Sequence, residues 1–237
     1  MKVQWPNEID GVLVPYGRTP LDLRALVTEG TRERWVAIAA LARSSEKDAL
    51  DCLGELASFP DPYVRRFAIQ WIGRHPNGAT LARAVIEGLR DPADVVVRTA
   101  AWVVTELGLS EARSDLLKLL ESESPSTRRS SLHALEKVWS DADFETVVRV
   151  FKNDPSEEVQ RTAGWTLYRA RSANRAPALV ELLLTDPLPR HRCWACGLIG
   201  EFQLAHFREP IVNLLEDKDG HVRKAALRAL TRLPEAV

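Results

Sequence analysis

Cysteine is scarce in this chain, with three residues among 237, an odd number that cannot pair off into a disulfide framework. A reducing, cytoplasmic setting is the expectation. No apolar run opens the sequence either. The first ten residues, Met-Lys-Val-Gln-Trp-Pro-Asn-Glu-Ile-Asp, lack the hydrophobic stretch of a secretory signal. No segment approaches the roughly 18 apolar residues of a membrane helix, so no membrane partner is expected. Glycine and proline are modest at 12 and 14, which argues against long disordered linkers. Neither sign of charge dominates, with 32 basic and 33 acidic side chains. That balance neither demands nor excludes an anionic partner, since the local distribution decides. No catalytic motif stands out, so the expectation leans away from an enzyme and includes no cofactor.

What the chain does have is a period. Arg34, Arg65, Arg98, Arg128, Arg161, Arg192 and Arg223 follow one another at steps of 31, 33, 30, 33, 31 and 31 residues. Three residues after each stands a small residue: Ala37, Ala68, Ala101, Ser131, Gly164, Ala195 and Ala226. A fixed interval in this range marks a stacked repeat architecture. Each repeat reads as two helices, A and B. Five B helices open with Asp61-Pro62, Asp91-Pro92, Ser124-Pro125, Asp154-Pro155 or Asp186-Pro187, and the last uses Asp217-Lys218-Asp219-Gly220. An Asp or Ser cap accepts an orphan backbone N–H, and proline at the first helical position lacks the donor that would go unsatisfied. The A helices carry apolar stripes at spacings of three and four, such as Leu116-Leu117 with Leu119-Leu120. Residues 1–19 precede the first of them, and Trp5, Ile9, Val12, Leu13, Val14 and Tyr16 are expected to cap the stack, which then occupies 20–237.

Aligning the B helices on their arginines defines faces. Four residues on stand Ile38, Ile69, Trp102, Leu132, Trp165, Cys196 and Leu227, and seven on stand mostly apolar residues. These columns share one side of a helix and are expected to form the core. Trp102 and Trp165 could instead be a base-stacking pair, but core packing is the expectation from their column. The opposite face carries Trp35, Arg66, Thr99, Arg129, Thr162 and Lys224 one residue after the arginine, and Gln70, His133 and Arg228 five after. Arg43, Arg74, Glu106, Glu136, Lys137, Arg169, Glu201 and Arg232 follow one turn later. This face holds nine basic residues against three acidic ones. Such a surface would steer an acidic partner. The same composition also fits a solvated face built from good helix formers. Cys193-Trp-Ala-Cys196, between His191 and His206, has zinc-like ligand types, yet Cys196 falls in the core column and no second cysteine pair exists. Buried apolar cysteines and no metal are expected.

Asp-Pro-x-x-Val-Arg-Arg-x-Ala at 61–68 and Asp217-Lys-Asp-Gly-His-Val-Arg-Lys-Ala-Ala-Leu227 resemble HEAT repeats of the short, phycobilisome-lyase-like variety. The resemblance covers roughly 20–237. It implies an all-α fold, a right-handed α-solenoid of about seven HEAT-like two-helix repeats, whose B helices line a concave surface. It also implies that the recurring arginines pair with Asp61, Asp91, Asp154, Asp186 and Asp219 in a ladder. Function is left open by so widespread a fold. The favoured expectation is a non-catalytic scaffold whose basic concave face recognises an acidic protein through Trp35, Arg66, Gln70, Arg74, Thr99, Arg129, His133, Thr162, Arg169, Lys224 and Arg228. A second is nucleic-acid binding, because HEAT-like alkylpurine DNA glycosylases are similar in size and architecture. Glu106 or Glu136 would then be the catalytic carboxylate, although neither has the flanking tryptophans of that family on the expected binding face. A third, implied by the lyase-like repeats, is a bilin held by His133, Trp35 and the arginines.

Overall fold

A computed structural model describes residues 8–9, 12–13, 18–30, 33–44 and 47–234. Among them, fourteen α-helices alternate as seven pairs. The A helices are α1 (Pro20–Thr28), α3 (Lys47–Leu56), α5 (Ala82–Gly88), α7 (Arg113–Leu119), α9 (Phe144–Asn153), α11 (Ala176–Leu184) and α13 (Arg208–Asn213). The B helices are α2 (Arg34–Arg43), α4 (Pro62–Ile72), α6 (Asp94–Leu107), α8 (Pro125–Lys137), α10 (Glu157–Arg169), α12 (Pro189–Glu201) and α14 (Gly220–Leu230). Ahead of them β1 (Glu8–Ile9) pairs antiparallel with β2 (Val12–Leu13). Of the expected capping residues, Trp5, Val14 and Tyr16 lie outside the described residues. The chain forms two compact units, 1–138 with α1–α8 and 139–237 with α9–α14. Apart from that two-stranded hairpin, each is an α-solenoid segment in which B helices pack on their own A helices. In the first unit α4 also packs on α6 and α6 on α8; in the second α12 packs on α14.

The helix starts follow two patterns. Asp61, Ser124 and Asp219 are true N-caps, accepting from Tyr63 N, Thr127 N and His221 N respectively. Asp91, Asp154 and Asp186 are not. Their Oδ1 atoms accept from the backbone N–H two residues on, Ala93, Ser156 and Leu188, at 2.8 to 2.9 Å. They form Asx turns, and the helix begins two residues later than the Asp-Pro pair suggests.

The buried residues set a repeat register that differs from the arginine count in two repeats. In α4 the fully buried residues next to Arg65 are Val64 and, four on, Ala68. The matching pairs are Val96 and Ala100 in α6, and Val159 and Ala163 in α10. The position of Arg65 is therefore taken by Val97 in the third repeat and by Gln160 in the fifth. Arg98 and Arg161 stand one residue further along and are exposed. The recurring positions are then 34, 65, 97, 128, 160, 192 and 223, at steps of 31, 32, 31, 32, 32 and 31. Hydrogen bonds repeat at this register. Arg65, Arg128, Arg192 and Arg223 each donate from Nη1 to the carbonyl six residues back, at 2.7 to 2.8 Å. Gln160 Nε2 does the same to Asp154 O at 2.7 Å.

The ladder is real but partial. Arg65 grips Asp91 through Nε (2.6 Å) and Nη2 (2.8 Å), and Arg192 grips Asp217 through the same two atoms at 2.8 Å each. Arg34 reaches Asp61 at 3.2 Å. The acceptor is thus Asp217 rather than the expected Asp219, which caps α14 instead. Among the described residues, Arg98 pairs with Asp94 of its own helix at 3.1 Å, and Arg161 Nε donates to the Glu157 carbonyl at 3.4 Å.

Candidate functional site

The shifted register moves the two sister tryptophans to the opposite side of their helices. Trp102 is 37% exposed and Trp165 42%, where core packing was expected. Conversely, Val103 and Thr166, which the arginine count places on the outer face, are fully buried. Leu227 of the apolar column is also exposed, on the last described helix. The outward column one residue after the ladder position therefore reads Trp35, Arg66, Arg98, Arg129, Arg161, Cys193 and Lys224. The column four residues later reads Ala39, Gln70, Trp102, His133, Trp165, Gly197 and Arg228. Five of the seven residues in the first column are basic. The signal that could have found this was the four-residue spacing of Val and Ala in Val96/Ala100 and Val159/Ala163.

In the first unit these columns border a groove of about 740 Å³ between α4 and α6. Arg66 and Gln70 line it from α4, Arg74 from the turn after α4, and Arg98, Thr99 and Trp102 from α6; Tyr63 and Val95 complete the wall. Four of the expected binding residues, Arg66, Gln70, Arg74 and Thr99, thus meet there, while Tyr63, Arg98 and Trp102 were missed. No acidic side chain lines the groove. Arg66 and Arg74 have no ion pair among the described residues; their guanidiniums lie against rings instead. Arg66 stands 5.2 Å from Phe67, and Arg74 stands 5.1 Å from Trp71 and 5.8 Å from Trp102. Thr99 donates its hydroxyl to Val95 O at 2.8 Å, so it is left as an acceptor toward the groove.

The other expected residues do not join this groove. Trp35 is half-buried on α2, its ring 4.8 Å from Phe67 and 4.2 Å from the Arg34 guanidinium. Arg129 and the exposed His133 lie on α8. Glu106, exposed on α6, and Glu136, half-buried on α8, line no part of the groove.

In the second unit Trp165 belongs to an aromatic cluster. Trp194 stacks on Tyr168 at 4.8 Å and 13°, with Trp165 at 5.7 Å and His191 at 4.9 Å. Arg169 and Arg190 stand 5.9 and 5.8 Å from Trp165 and Trp194. Thr162, like Thr99, donates to its own helix, at Glu158 O. His191 is 2% exposed, and Asp186 Oδ1 lies 3.0 Å from Nδ1 but out of line for a hydrogen bond; Nε2 has no hydrogen-bond partner. Burial holds this imidazole below its usual pKa, aided by Arg190, although Asp186 acts in the opposite direction. Lys224 and Arg228 are exposed on α14. Among the described residues, no three His, Cys, Asp or Glu side chains are placed to hold a metal ion, and no helix is long and apolar enough to cross a membrane.

The HEAT repeats family matches residues 24–98, 82–168 and 176–237, and the chain belongs to that family. No curated protein matches its sequence. Among solved structures, the archaeal HEAT-like repeats protein from Thermococcus onnurineus NA1 is similar over 93% of this chain and 100% of its own, at 15% identity and a TM-score of 0.61. An engineered protein is similar over 77% of this chain and 95% of its own, at 18% identity and a TM-score of 0.56. The complex of CpcE and CpcF of phycocyanin lyase from Nostoc sp. PCC7120 is similar over 95% of this chain and 100% of that chain, at 20% identity and a TM-score of 0.52. These likenesses establish the fold.

Proposed function

We propose that this HEAT-repeat chain is a non-catalytic binding module that takes an acidic segment of a protein partner in the groove between α4 and α6. The observation that carries the reading is a wall with three arginines, no carboxylate and two exposed aromatic rings, Tyr63 and Trp102. Arg66 and Arg74 supply charge that no acid of the described chain neutralises. Arg98 is half-committed to Asp94. The ring of Trp102 supplies apolar area of the kind that dominates interfaces, and Gln70 can both donate to and accept from a peptide backbone. HEAT repeats in general serve as protein-interaction modules, which agrees with this reading.

A second reading, nucleic-acid binding, gains from the exposure of Trp102 with Arg98 one turn before it and Glu106 one turn after. A tryptophan face beside guanidiniums suits a stacked base and its phosphate. One titration separates the two: fluorescence anisotropy with labelled oligoglutamate and with single- and double-stranded oligonucleotides, each at two salt concentrations. We expect the peptide to bind and weaken with salt. The Arg66→Glu/Arg98→Glu double variant should weaken it by about tenfold or more, and Trp102→Ala should weaken it without lowering stability by more than ~1 kcal/mol. Peptide affinity unchanged by the double variant would overturn the groove reading, and tight oligonucleotide binding alone would replace it with the second.

A further inference from the structure

The second unit contains a half-open pocket that the groove reading does not use. In α12 the two outward columns hold Cys193 and Gly197, where other B helices carry Arg66 and Gln70 or Arg98 and Trp102. The missing side-chain bulk leaves a pocket of about 340 Å³ between α12 and α14. That is the small end of the ~300–1,000 Å³ range of ligand sites. Its walls are small and apolar: Cys193, Cys196, Gly197 and Gly200 from α12, Ala225 and Ala229 from α14. His221, Arg228 and Arg232 complete its lining. The stem of Arg232 crosses Gly200 so closely that a Cβ there would sit 3.2 Å from Arg232 Cδ.

The polar chemistry of this lining has one sign. Arg228 and Arg232 have no carboxylate partner among the described residues. The two nearby acids are committed elsewhere: Asp217 to Arg192, and Asp219 to the N–H groups of His221 and Val222. The thiols add no opposing charge. Burial pushes the Cys196 thiol up to about 12, and burial also raises that of Cys193, with Asp219 adding to the effect and the Arg192 and Arg228 guanidiniums opposing it. At neutral pH both are neutral, soft apolar surface rather than nucleophiles or anions.

We infer that this pocket binds a carboxylate carried on a compact apolar group, with the apolar part against the Cys/Gly/Ala walls and the carboxylate on Arg228 and Arg232. That chemistry is shared by a free branched-chain acid and by a peptide C-terminus ending in an apolar residue. Guanidinium and carboxylate match in charge and in fork geometry. The walls offer no polar group that would penalise an aliphatic chain.

Calorimetric titration of the full chain with 4-methylpentanoate, with a pentapeptide ending in leucine, and with the same peptide amidated at its C-terminus tests the inference. At least one of the two acids should bind, and the amide should bind about tenfold weaker or worse than the peptide acid. Binding of the small acid alone assigns a free ligand; binding of the peptide acid assigns a C-terminus. Gly197→Leu fills the pocket from an exposed helical position, where the nearest atom to an added Cβ is the Tyr168 hydroxyl at 3.9 Å. It should abolish binding with an unchanged unfolding midpoint. Should that variant fold poorly, Arg228→Gln/Arg232→Gln must show the same loss. Absence of binding by both acids at concentrations on the order of 1 mM, equal affinity for acid and amide, or undiminished binding by a folded variant overturns it.

Discussion

Arg65 and Arg98 look equivalent when the arginines are counted, but alanine in place of each should have very unequal consequences. Arg65 makes four hydrogen bonds: two to Asp91, at 2.6 and 2.8 Å, and one each to the Phe59 and Pro60 carbonyls at 2.8 Å. Its side chain is 13% exposed and that of Asp91 9%, so water does not replace these contacts when the guanidinium goes. Burial by itself raises the Asp91 carboxyl pKa, yet the Arg65 bonds, the Ala93 N–H and the Arg65 charge together hold it below the usual range. Removing Arg65 leaves a buried carboxylate unpaired, which costs ~3–5 kcal/mol. Arg98 makes one pair with Asp94, both partners close to half exposed, and such pairs contribute ~0.3–0.5 kcal/mol. In urea denaturation, Arg65→Ala should move the midpoint of the first unit down by more than ~1 M at an m-value of ~2–3 kcal/mol/M, and Arg98→Ala hardly at all. The pH dependence follows from the sign. Asp91 has a depressed folded pKa, so its contribution is complete above the unfolded value, about 3.8, and is lost as pH falls through the folded one. Comparable losses for the two variants would refute the shifted register.

His191 predicts a second pH response. Its folded pKa lies below the ordinary 6.5, so its neutral form stabilises the fold fully above that value and the contribution is lost as pH falls below it. The decline of Tm between pH 7 and 5 should be shallower in His191→Leu than in the parent, and equal slopes would show that Asp186 cancels the effect of burial on the ring. Gly78 should tolerate no side chain, because an added Cβ meets the backbone carbonyl oxygen of Ile72. Gly78→Ala is expected to cost ~2 kcal/mol or more in the same urea assay, and wild-type stability would contradict the close approach.

Much of the fold was legible because both of its determinants repeat. The apolar stripes placed the A helices, and the small residue beside the ladder placed every B helix. The exact register was not legible from arginine alone, since Arg98 and Arg161 are one step from the ladder and equally regular to the eye. Val97 and Gln160, which hold the ladder position there, share neither charge nor size with arginine. Gln160 still reaches the carbonyl six residues back; Val97 cannot, and its side chain is buried instead. The candidate groove was half legible for the same reason. Arg66, Gln70 and Arg74 come from a repeat counted correctly, while Arg98 and Trp102 come from one whose count starts a residue late, at Arg98 instead of Val97. The Asx turns at Asp91, Asp154 and Asp186 were hidden because an Asp-Pro pair has the same composition whether the helix starts at once or two residues later.

That one-residue step separates two jobs for the same side chain. At the ladder position a guanidinium is consumed: its donors go to the carbonyls behind it and, in Arg65 and Arg192, to a carboxylate of the next repeat. Nothing is left for a ligand, and its effect is stability. One residue on, the helix has turned about 100°, and Arg98 and Arg161 face water with their donors weakly held by their own helices. The third and fifth repeats give up the ladder arginine and carry Arg-x-x-x-Trp on the outer face. Each gives up inter-repeat ion pairing and gains an exposed ring beside a cation. A repeat stack can make this exchange locally, because neighbouring ladder pairs such as Arg65–Asp91 and Arg192–Asp217 continue to tie the helices together. The repeats least committed to the ladder are therefore the ones whose outer residues should govern recognition.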